Sequence, residues 1–72
     1  MNSPMQENIL LNGAPIPNAS GLTLAQLLEH LGEPPDQVAT ALNHHFVPRD
    51  QRSRHRLAAG DHVTVFKAIV GG

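Results

Sequence analysis

Seventy-two residues fit a single domain. A chain that short buries only roughly 60% of its unfolded surface, so there is little room for a deep substrate pocket beside the core; this argues against an autonomous enzyme and for a module that works on or inside a partner. With no cysteine there is no disulfide, Cys-based zinc site or thiol nucleophile, and a net charge of −1 excludes a global field drawing the chain to nucleic acid or membrane. A hydrophobic content of 40%, carried by Leu, Val and Ile, is enough to fold.

Residues 1–6 read as a loose N-terminal extension, because Ser3-Pro4 favours neither helix nor strand. "NILLNGAPIP" reads as a hairpin: Ile9, Leu10 and Leu11 form the first arm, and Asn12-Gly13 is the strongest two-residue turn signal, since a type I′ turn needs positive φ at both central positions. The prolines in the return arm, Ala14–Pro17, remove ladder donors and predict an edge strand. "TLAQLLEHLG" predicts a helix over Leu24–Leu31, with an apolar stripe at Leu24, Leu27, Leu28 and Leu31, Thr23 as N-cap, Gln26 as its capping-box partner, and Gly32 at the C′ position before Pro34-Pro35. "QVATALN" reads as a strand and "NHHFVPR" as a turn into a brief strand at Phe46-Val47. Residues 49–58 are polar and are expected to hold one helical turn, with Leu57 as the core anchor. Gly60-Asp61 is a turn, and "HVTVFKAIV" is the clearest strand, with Val63, Val65 and Lys67 on one face and Thr64, Phe66 and Ala68 on the other. The order is ββαββ(short helix)β. This α+β chain is expected to form a small mixed sheet of four to five strands, covered by one main helix plus a short helical turn, with the last strand central and beside the first.

Several residue groups invite functional readings. The five histidines show no metal-ligand spacing, and the adjacent His44 and His45 would face opposite sides of a strand, so exposed turn and surface positions are expected and no metal site is assigned. Arg49, Arg52, Arg54 and Arg56 make up four of the five basic residues. A solvated face is the first reading for them, protein docking the next, and nucleic acid the least, because two Phe without Trp or Tyr leave little to stack bases on. Phe46 and Phe66 belong either to an apolar docking patch on the sheet face opposite the helix or, for Phe66, to the core. The chain ends "FKAIVGG". Gly71 and Gly72 pack no side chain; they suit a 69–72 tail that is flexible and can thread a narrow channel, reaching roughly 13 Å at about 3.3 Å per residue. No 18-residue apolar run and no signal-peptide pattern occur, which sets the expected address as the cytoplasm.

Taken together, "ILLNG", "TLAQLLEHLG", "ALNHHFVPRDQ", the "AGD" turn and the terminal "GG" resemble the ThiS family of sulfur carrier proteins over about residues 8–72. The most specific part is the ordered set Asn43, Val47, Pro48, Arg49, Gly60-Asp61 and Gly71-Gly72. Residues 1–4 extend the family's usual start, and Arg52 stands nearest the place where the family often has an aromatic residue. The resemblance implies a ubiquitin-like β-grasp fold and a carrier rather than an enzyme. It implies that the Gly72 carboxylate, beside Gly71, is adenylated by a ThiF-like adenylyltransferase using ATP, with no cofactor bound by this chain. Sulfur tracing back to a cysteine desulfurase then converts the adenylate to a thiocarboxylate, which donates sulfur to a ThiG-like thiazole synthase in thiamin biosynthesis. Phe46, Phe66, Ile69, Val70 and Arg49 become the expected partner-binding residues, with no nucleic acid or membrane partner and a monomer when free. The absence of cysteine fits, since no internal thiol competes for the activated acyl group. Two other readings stay open: the small subunit of molybdopterin synthase, and a non-transferring β-grasp interaction module.

Overall fold

The computed structural model of the chain describes residues 8–67; the N-terminal extension 1–6 and the 69–72 tail lie outside them. Two asparagines open the two hairpin turns among the described residues. Asn12 and Gly13, with φ of 50° and 87°, join β1 (Ile9–Leu11) to β2 (Ala14–Ile16), and Leu11 stands opposite Ala14. Positive φ at both central residues is the demand of a type I′ turn, and Asn followed by Gly meets it with little steric cost. The second turn uses Asn43 and His44, with φ of 51° and 72°, to join β3 (Val38–Leu42) to β4 (His45–Val47). His44 occupies the place where glycine is usual, so this turn carries a strain the first does not.

Helix α1 (Leu24–Leu31) has the predicted bounds because both ends are capped. The Gln26 N–H donates to Thr23 Oγ1 at 3.1 Å, and the Thr23 N–H donates to Gln26 Oε1 at 2.9 Å. At the other end Gly32 takes φ 75°, and its N–H donates to Glu29 O. Satisfying these orphan groups is what lets an eight-residue helix hold its ends. Leu24, Leu27 and Leu28 are buried, while Leu31 is half-buried at the margin.

The five-stranded sheet has the order β2-β1-β5-β3-β4, where β5 is His62–Lys67. Strand β5 runs parallel to β1 and antiparallel to β3. The last strand is therefore central and beside the first, as its apolar pattern requires, and the proline-bearing β2 lies at an edge. Ile9, Ala19, Leu24, Leu27, Val47, Leu57 and Val63 form one core between the helix and one sheet face. The Arg49–Arg54 segment forms a 3₁₀ helix, and Leu57 behind it anchors to the core as expected. That return segment is sewn to the residues before the helix: Leu57 N–H donates to Leu22 O at 2.7 Å, Gly21 N–H to Leu57 O at 2.8 Å, and Leu24 N–H to His55 O at 2.9 Å.

Leu27 is fully buried in this core. Leu27→Ala is expected to lower the unfolding free energy by about 2–5 kcal/mol, read from chemical denaturation; an unchanged midpoint would show that the stripe is not core.

Candidate functional site: the open sheet face and the root of the tail

The helix covers one face of the sheet and leaves the other open. Val38 and Thr40 of β3 are buried on the helix side, so Ala39 and Ala41 point to the open side. Cross-strand partners share a face. Ala41 stands opposite both Phe46 of β4 and Thr64 of β5, and Ala39 stands opposite Phe66. Phe46 is 66% exposed and Phe66 50% exposed, with two small alanines on the strand between them. The two rings thus belong to one open face, their positions two strand spacings across and two residues along, about 12 Å apart. Of the two places open to Phe66 in the sequence, the structure selects the open face. Leu10, opposite Pro15 and His62, continues the same face onto β1.

Val38 pairs with Lys67, so the last described residue of β5 lies at the sheet end where β3 begins. Because Thr40 pairs with Val47, β4 runs toward that same end, and exposed Arg49 follows it there. Phe46, Phe66 and Arg49 are therefore the predicted partner residues that fall within the described structure, with Arg49 toward the sheet end that holds Lys67. Ile69, Val70, Gly71 and Gly72 lie outside the described residues.

Arg52 corrects the reading of the arginine run as one solvated face. It is only 4% exposed. Its Nε donates to Thr40 Oγ1 at 3.1 Å, Nη1 to Pro35 O at 2.8 Å and Nη2 to Val38 O at 2.7 Å, while Thr40 Oγ1 itself donates to Val47 O at 3.0 Å. Desolvation, and after it the charge of Arg49, push the Arg52 pKa below the usual arginine value. Even so, a guanidinium keeps its proton at neutral pH. The planar fork thus ties the 3₁₀ helix to β3 and to the loop at Pro35. Thr40 gave the signal for it: a polar residue on the core side of β3 needs a buried partner. The other arginines are exposed, and Arg56 donates from Nη1 to Gly21 O at 2.6 Å.

All five histidines are exposed. His44 and His62 stack with ring centroids 6.3 Å apart at the sheet end far from Lys67, and the described residues hold no group of three side chains able to bind a metal. Among the described residues no helix is long and apolar enough to cross a membrane.

Comparison with known proteins gives a consistent picture. The ThiS family model matches residues 8–72. The sulfur carrier protein ThiS of Escherichia coli strain K12 is 38% identical over 64 residues, spanning 89% of this chain and 97% of that protein. The crystal structure of thiamine biosynthesis protein ThiS from Geobacter metallireducens superposes with a TM-score of 0.77 at 26% identity, covering 90% of this chain and 99% of that one.

Arg52→Ala leaves Thr40 Oγ1 and two carbonyls without their donor. It is expected to cost about 2–4 kcal/mol in denaturant unfolding. A loss below about 0.5 kcal/mol, the level of an ordinary surface change, would return Arg52 to the solvated face.

Proposed function

Because the chain belongs to the ThiS family of sulfur carrier proteins, we propose that its working group is the Gly72 carboxylate and that Phe46, Phe66 and Arg49 help present it to partner enzymes. Membership makes the chain a small carrier in thiamin biosynthesis, not a catalyst, and supports that reading over the molybdopterin and idle-module ones. As a sulfur carrier it works with partner enzymes in sulfur transfer.

In the proposed cycle a terminal carboxylate oxygen attacks the α-phosphate of ATP held by a ThiF-like adenylating enzyme. Pyrophosphate leaves and an acyl-adenylate forms. Sulfur that originates from a cysteine desulfurase, brought to the sulfide level by a thiol reductant, then attacks the acyl carbon and displaces AMP, giving a thiocarboxylate. A ThiG-like thiazole synthase takes the sulfur and returns the carboxylate. A terminal carboxyl titrates far below neutrality, so the attacking group is already ionised. Gly71 and Gly72 add no Cβ and accept any backbone angle a narrow channel demands. ATP, base and phosphate clamp belong to the partner.

The placement of β5 carries this reading. The central strand, held on both sides, leads in sequence to Gly71 and Gly72, four and five residues after Lys67. An open apolar face lies beside its exit. A partner gripping that face therefore has a fixed reference from which to receive the tail. Ile69 and Val70, the apolar pair between strand and glycines, are assigned to the channel mouth.

Intact-mass analysis after incubation with ATP, the adenylating enzyme and a sulfur source is expected to show a species heavier by the difference between sulfur and oxygen, mapped to Gly72. Adding one residue after Gly72 should abolish it while the melting temperature stays put; persistence of the heavier species in the extended protein would refute the terminal mechanism. For the face, Phe66→Ser is expected to weaken binding to the adenylating enzyme about tenfold or more, as loss of a buried aromatic anchor does. Calorimetric titration checks this, and unchanged affinity would remove Phe66 from the interface.

A further inference from the structure

We infer that Asn12 is a positioning residue for the terminal chemistry: its carboxamide adds one rung to the central strand and so fixes where that strand is released toward Gly72. The inference rests on the function proposed above.

In the parallel pair of β1 and β5, Leu10 N–H donates to Asp61 O and Asn12 N–H to Val63 O, both at 2.9 Å. The next rung would need the carbonyl of residue 12 and the N–H of residue 14. Neither is available, because the chain turns at Asn12-Gly13 to start β2. The Asn12 side chain fills the gap. Val65 N–H donates to Asn12 Oδ1 at 2.9 Å, and Asn12 Nδ2 donates to Val65 O at 3.1 Å. A carboxamide carries the same donor and acceptor as a peptide group, so it completes the ladder where the backbone has left.

The direction of the backbone groups gives this rung its meaning. Asp61, Val63 and Val65 turn theirs toward β1, while His62 turns its own toward Asn43 at the end of β3. Lys67 has the same outward parity as Val65, and none of the described residues pairs with it on that side. Among the described residues Asn12 is therefore the last hold on the β1 edge of β5. Without it, that edge of β5 is free beyond Val63, and more backbone must be ordered when the tail enters a partner. An aspartate keeps the acceptor but has no N–H for Val65 O. A glycine keeps the positive φ and removes both bonds.

The test uses the full chain as wild type, Asn12→Gly and Asn12→Asp, since both substitutions suit the turn. NMR hydrogen exchange is expected to show the Val65 amide exchanging about tenfold faster in Asn12→Gly, the scale of one lost hydrogen bond, and by an intermediate factor in Asn12→Asp. Thr64 and Phe66, opposite Ala41 and Ala39, should keep their protection. With the adenylating enzyme and ATP, kcat for pyrophosphate release should fall about tenfold in Asn12→Gly with KM unchanged, because docking through the face is intact while tail entry is not. Unchanged Val65 exchange, or equal loss at Thr64 and Phe66, overturns the added rung. Faster Val65 exchange with unchanged kcat, or a change in KM alone, overturns the positioning role. A wild type that releases no pyrophosphate rejects the terminal chemistry itself, a result separate from Asn12 variants that match an active wild type.

Discussion

Everything in this fold hangs on the pairing of β5. The chain makes two hairpins, β1–β2 and β3–β4, and neither is stable alone in water. Strand β5 joins them into one sheet, parallel to the first and antiparallel to the second. Its six residues outlast the three of β1, so rungs are missing where the neighbours turn away. Both gaps are closed in the same manner. Asn12 and Asn43 each begin a tight turn at positive φ, and each lends its carboxamide to a β5 backbone group, at Val65 and at His62. Asn43 also donates to Asp61 Oδ1, whose other oxygen accepts from Ala58 N–H and holds the turn before β5. The residue type that permits the turn is also the one that repairs the ladder beside it.

The local features were legible in the sequence because their causes are local. Asn12-Gly13 announces its turn, and Thr23, Gln26 and Gly32 bound the helix through hydrogen bonds within three or four residues. The centrality of β5 was readable from its apolar content. What stayed hidden depended on partners far along the chain. "RDQRSR" has the polarity of a solvated face, and nothing near Arg52 reveals that Pro35, Val38 and Thr40, 12 to 17 residues away, turn three acceptors toward it. The side of Phe66 was likewise undecidable from alternation, because Thr64 and Val65 are both plausible on either face until the β3 register is known. Asn12 was recognisable as a turn residue, but its bond partner lies 53 positions away.

What the sequence left hidden has one physical origin. A chain of this size has only a thin core to stabilise it, and the open face withholds Phe46 and Phe66 from that core. Apolar burial is therefore confined to one side of the sheet. Specific polar contacts supply the remaining order: a buried guanidinium serving three acceptors, two carboxamides completing ladders, and one aspartate closing a turn. Such contacts add little net stability each, about 1 kcal/mol, but are costly to break once their partners are desolvated. They fix register more than they add strength. That suits a small carrier whose sheet leaves Phe46 and Phe66 outside the core.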